Sequence, residues 1–247
     1  MICQPPQQLL VDRRQVVDEL KKSCQKPDGS DDSSKGTSLL EAYALEISLC
    51  AATRDARRMK RIYPRTLNLN AAVADPRIMG VIREEGGRMH MRDANFAEAY
   101  NEFYAGFRAY QEAGNSRAKD CLKYVVLANM LALSDINPFD AREAKAYQEE
   151  QQIAAMRRLR VAYDANDLGA FETTLRDKRA KILDDPFIMS FVDPLRRRMR
   201  RSVSVLNRAR RRRQHAPRGL ALCGPAPLPA ALLRRVVLEG VVHYRLR

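Results

Sequence analysis

Residues 95–115 read NFAEAYNEFYAGFRAYQEAGN, and the fold class turns on them. Phe96, Ala99, Phe103, Phe107 and Tyr110 recur at intervals of three and four, which places them on one face of a helix. Small Ala99 lets a partner helix approach while the aromatic rings fill the space beside it. Tetratricopeptide-type hairpins pack in this way, each burying its face on the next. An aromatic peptide groove is the competing use of such a stripe; at this spacing core packing is the simpler one.

The same period extends in both directions. QQLLVDRRQVVDELKKSC (7–24) carries Leu9, Val16, Val17 and Leu20 at mostly helical intervals, and QKPDGSDDSSKGT (25–37) after it is a flexible loop rich in Ser, Asp and Gly. SLLEAYALEISLCAA (38–52) puts Leu40, Ala44, Ile47 and Ala51 on one stripe, and ARRMKRIYPRTLNL (56–69) continues it, so two antiparallel helices are expected. Asp75 before Pro76 supplies a capping oxygen and a first-turn proline, which starts a helix at PRIMGVIREE. Downstream, CLKYVVLANMLALS (121–134) presents Leu122, Val125, Val126, Met130 and Leu133 as another apolar face. Asn137-Pro138 signals a turn, and Asp140 is placed to cap a short helix carrying Glu143. Residues 153–183 read as two helices split at DAND (164–167). Asp185-Pro186 opens a helix with Ile188, Phe191, Val192, Leu195 and Met199 as its buried stripe, in which Pro194 is expected to break or kink the run.

Beyond residue 201 the character changes. SVSVLNRARRRR (202–213) is helical, APRGLALCGPAPLP (216–229) is a broken connection, and the end reads as helix, glycine turn and strand, with Val241, Val242, His243, Tyr244 and Leu246 alternating loosely. That is the outline of a small winged helix. The expected fold is mostly all-α: residues 1–37 form an N-terminal helix and flexible loop, 38–201 form tetratricopeptide-like repeats, and 202–247 form a winged-helix-like part.

Chemistry is most concentrated at VIREEGGRMHM (81–91), with Glu84, Glu85, Gly86, Gly87 and His90. A phosphate cradle needs its glycines ahead of a helix, and here they come late in one. A zincin site needs a second histidine one turn away, and none is near. An interior glycine costs about 0.5–1 kcal/mol relative to alanine, so the pair points to a close neighbouring helix and the stretch to a bend between packed helices. No catalytic, cofactor-binding or metal residue is assigned, and no cofactor is expected.

Composition bounds the rest. The 247 residues are 45% hydrophobic with 11 glycines and 12 prolines, the profile of a folded chain. No apolar run reaches the roughly 18 residues of a membrane span, and the N-terminus lacks the order of a signal peptide, so an intracellular protein without a membrane partner is expected. Five dispersed cysteines signal neither a disulfide framework nor a zinc site. The net charge of +14 lies entirely in the tail: residues 1–195 balance 29 Lys plus Arg against 29 Asp plus Glu, while 196–247 hold 15 Arg and one Glu. Arg196, Arg197, Arg198, Arg200, Arg201, Arg210, Arg211, Arg212 and Arg213 form the candidate basic patch, suited to nucleic acid or an acidic partner, or simply a solvated helix face.

The segments ELKKSCQKPDGSDDSSKGTSLLEAYALEI (19–47), 76–114, CLKYVVLANMLALSDINPFDAREAKAY (121–147) and DDPFI (184–188) resemble the second-subunit family of the COP9 signalosome, whose members carry a PCI domain. The match runs from about Arg13 to Met199, and LANML…INPFD…EAKAY discriminates it from the paralogous proteasome-lid subunit. The resemblance implies a right-handed solenoid of helical hairpins, with the PCI helical part from about residue 90, ending in a winged helix. It implies a non-catalytic scaffold of cytoplasm and nucleus that joins other PCI-domain signalosome subunits and engages cullin-RING ligases for cullin deneddylation. The zinc protease of that complex belongs to a different subunit. Relative to the family the chain is expected to be truncated at the N-terminus, with a diverged C-terminus and a partly degenerate, Pro- and Gly-rich winged helix. In the scaffold reading Val241 to Leu246 pair with a strand of a neighbouring subunit. The alternatives are a proteasome-lid-type scaffold and an arginine-rich, nonspecific nucleic-acid binder; an enzyme comes last.

Overall fold

The computed structural model describes residues 7–28, 30, 32–69, 74–134, 136–177 and 182–214. The described residues form helices with no β-sheet, as the hydrophobic period requires. Residues 215–247 of the expected winged-helix part, including the expected strand at Val241 to Leu246, lie outside them.

Side-chain caps set several helix starts. Asp55 accepts from the Arg58 N–H ahead of α3 (Ala56–Asn68), and Asp75 accepts from the Arg77 N–H ahead of α4 (Pro76–Arg92). Asp167 accepts from the Ala170 N–H ahead of α9 (Leu168–Arg176), and Asp185 from the Phe187 N–H ahead of α10 (Pro186–Gln214). At the end of α5 (Phe96–Glu112) Gly114 takes φ +64°, which lets the Asn115 N–H close on the Tyr110 carbonyl at 2.8 Å.

Contacts divide the chain into two units, Met1–Ala132 with Ala141–Tyr147, and Leu133–Asp140 with Gln148–Arg247. In the first, α1 (Gln7–Ser23) packs on α2 (Gly36–Thr53), α2 on both α3 and α4, α4 on α5, and α5 on α6 (Ala118–Ala132). Of the predicted stripe, Ala99, Phe103, Phe107 and Tyr110 are buried to 1% exposure or less, while Phe96 at the helix start is only half-buried. Helix α6 is buried nearly all round, Lys123 and Asn129 included, and Leu122, Val125, Val126, Leu127 and Ala128 are fully buried. Gly87, His90, Ala99 and Phe103 fall at the Gly-x-x-Tyr and Ala-x-x-x-Phe positions of a tetratricopeptide hairpin, with His90 in the tyrosine place. The reason is steric: a Cβ on Gly87 would lie 2.6 Å from the Phe103 ring, and one on Gly86 would collide with the Tyr63 ring. In the second unit α8 (Gln151–Asp164), α9, the 3-10 turn Ile182–Asp184 and α10 enclose Met156, Phe171, Leu175, Val192 and Leu195.

Several local expectations change. The bend at 81–91 is absent: α4 is one unbroken helix, because its glycines admit neighbouring aromatic rings without interrupting the backbone ladder. Asp140 does not cap the short helix α7 (Arg142–Lys145); its carboxylate accepts from the Asn137 amide at 3.1 Å instead. Leu133 falls past the end of α6 at φ 59°. Pro194 lies inside α10, which continues to Gln214 and absorbs the segment that read as a separate helix after residue 201. On α1 only Val17 of the described apolar positions is buried, while Val16 and Leu20 are exposed.

Candidate functional site

The carboxylates of the 81–91 stretch are the natural place to look for chemistry. Helix α4 buries Glu84 to 2% exposure. One carboxylate oxygen, Oε1, accepts from Arg88 Nη2 at 2.8 Å and from Arg117 Nη2 at 2.6 Å. The other, Oε2, accepts from Arg117 Nε at 3.1 Å and from the Tyr110 hydroxyl at 2.8 Å. Arg117 is thus bidentate, the geometry that recovers most of what a buried carboxylate loses on leaving water. Arg88 also lies 5.1 Å from the Tyr124 ring centroid. Burial pulls the Glu84 carboxyl upward, yet the Arg117 bond, the two guanidinium charges and the Tyr110 hydroxyl outweigh it and hold the group below its ordinary value. Next to it, burial raises Glu85, helped by the Glu84 charge and opposed by Arg88.

Such a network ties helices together. A general base needs a free lone pair facing substrate, and both Glu84 oxygens are taken. Of its neighbours, Arg83 meets both oxygens of Glu102 at 3.0 and 3.1 Å, while His90 packs edge-on to Tyr63 with ring centroids 6.1 Å apart and its buried Nδ1 has no hydrogen-bond partner among the described residues. A second buried carboxylate, Glu46 of α2, is 1% exposed and lies 2.7 Å from Lys21 of α1 and 2.6 Å from Arg58 of α3. Cys24, Cys50 and Cys121 are buried free thiols, and burial pushes Cys121 well up while its Sγ donates to the Phe103 carbonyl at 3.1 Å. Among the described residues no three His, Cys, Asp or Glu side chains group as metal ligands would, and no helix is long and apolar enough to cross a membrane.

The basic patch is partly in view. Arg196 of α10 grips Glu172 of α9 with two bonds of 2.6 and 2.9 Å and reaches Asp193 at 3.1 Å, so it is structural. Arg197, Arg200 and Arg201 are exposed and Arg198 half-buried. Arg210, Arg211, Arg212 and Arg213 belong to the same helix, but their side chains lie outside the described residues. Sequence reading missed Arg117 and Glu46 as members of ion networks. The Glu84–Arg88 pair is legible from its i, i+4 spacing; Arg117, 33 positions away, leaves no local signal.

Packed helical hairpins cross-braced by buried ion networks define a helical-repeat protein. The chain is homologous to COP9 signalosome complex subunit 2, as the resemblance to that family implies. It is 47% identical over 188 residues to the Dictyostelium discoideum protein of that name (76% of this chain, 42% of that protein) and 44% identical over 192 residues to the Drosophila melanogaster one (78% and 43%). The Emericella nidulans protein gives 48% over 184 residues (74% and 36%). A probable 26S proteasome regulatory subunit of Schizosaccharomyces pombe is 24% identical over 161 residues (64% and 38%). The chain spans less than half the length of these curated relatives. No family model matches it.

Proposed function

We propose that this protein is a non-catalytic scaffold subunit of a COP9 signalosome-type complex, binding other PCI-domain subunits and engaging cullin-RING ligases for cullin deneddylation, in cytoplasm and nucleus. The observation that carries the reading is the 42–48% identity to six signalosome subunit 2 proteins over about three quarters of the chain. The packing is compatible with it: in the most chemistry-rich stretch, 81–91, Glu84 and Arg88 are occupied in bracing helices. The 24% identity to the proteasome subunit makes a lid-type scaffold the weaker relative of the same idea. On this reading Val241 to Leu246 add to a sheet of a neighbouring subunit.

The test is recovery of partners by the tagged full chain at native expression, identified by mass spectrometry. Signalosome subunits are expected, with recovery reduced on deletion of 202–247. Proteasome-lid subunits in their place would overturn the assignment, and undiminished recovery by the deleted chain would overturn the role given to the terminal strand.

A further inference from the structure

We propose that the groove between α9 and α10 is a docking site for an acidic segment of a partner protein. The inference stands on these two helices alone and not on the family reading above. Leu168, Glu172 and Arg176 repeat every four residues along α9 and line one wall. Asp193, Arg196, Arg197 and Arg200 follow the corresponding stripe of α10 and line the other side of this open groove of about 670 Å³. Four arginines therefore face two carboxylates, and both carboxylates are already paired with Arg196. Among the described residues Arg176, Arg197 and Arg200 have no carboxylate within ion-pairing distance, and all three are exposed. The Glu172–Arg196 pair links the two walls at the middle of the groove, and the remaining guanidinium groups are presented on helices rather than on a loop, which lowers the ordering cost of capturing an anionic group.

Two features favour a peptide carboxylate over a nucleic acid. Among the described residues no aromatic side chain lines the groove, so none offers a base a ring to stack on. Leu168 offers an apolar seat for one hydrophobic side chain of the occupant.

The test uses the full chain and a short fluorescein-labelled peptide of glutamates and serines around one central leucine, followed by anisotropy at low salt, where exposed charges are least screened. R176Q/R197Q/R200Q is expected to weaken binding about tenfold, and R210Q/R211Q/R212Q/R213Q to change it less than about twofold. A larger loss in the second variant, no binding by the unsubstituted chain, or tighter binding of a charge-matched polyuridine RNA through the same three arginines would overturn the proposal. Should the groove variant lose its helical signal, phenylglyoxal modification of the unsubstituted chain decides: protection of Arg176, Arg197 and Arg200 by the peptide supports the site, and equal modification with and without peptide overturns it.

Discussion

Glu84 shows what one side chain does when every polar atom it carries is matched. Two arginines and a tyrosine converge on a carboxylate that is 2% exposed. Removing it strands their charge, so E84A should lower unfolding free energy by about 3 kcal/mol in urea titrations, the low end for a broken buried pair because Arg117 still reaches water. Glu85, one position on, behaves oppositely. Folding holds Glu84 below its ordinary value near 4.5, so the stability Glu84 contributes is complete above about that pH and is lost as acidity carries the pH through the lowered folded value. Folding raises Glu85, so its contribution is present below about 4.5 and is lost as pH rises through the raised value. E85Q should accordingly be at least as stable as the parent near pH 7, with the difference shrinking on acidification, when both are followed by chemical denaturation. A parent protein more stable than E85Q at neutral pH would contradict that sign. Neither role is visible in EE as a dipeptide, because the difference comes from residues 26 and 33 positions away.

At the level of elements, α4 and α5 carry the hairpin. Their stripe was legible because core packing of paired helices demands a three-and-four period, and Ala99, Phe103, Phe107 and Tyr110 are buried where that period puts them. The glycines were legible as points of close approach. They were not legible as a straight helix, since a glycine pair is equally compatible with a bend until the ring that needs the space is known. G87A should be destabilising by about 1–2 kcal/mol in urea, since displacing the fully buried Phe103 ring outweighs the roughly 1 kcal/mol of helix propensity that alanine adds. A gain in stability would mean that the ring moves aside freely. Pro194 teaches the same lesson from the other side: a proline forfeits one backbone bond, yet α10 runs through it, anchored by Val192 and Leu195 in the core and by Arg196 on Glu172.

For the whole molecule, the two units have separate cores, one around Phe103 and Phe107 and one around Phe171 and Leu195. Truncating a buried phenylalanine costs about 3–5 kcal/mol, so F103A should accelerate amide hydrogen exchange most in α4 to α6, and F171A most in α8 to α10. Equal acceleration of all helices by either variant would show a single cooperative core. Sequence alone determined the helical class, most helix starts and the resemblance to signalosome subunit 2, because periodicity, capping residues and residue identity are written along the chain. The outcome at 81–91, the partner of Glu84, and which arginines of the basic run are already paired were decided only by tertiary structure. The physical reason is that a charged or glycine residue takes its role from whatever packs against it, and the atoms that do so come from helices distant in sequence.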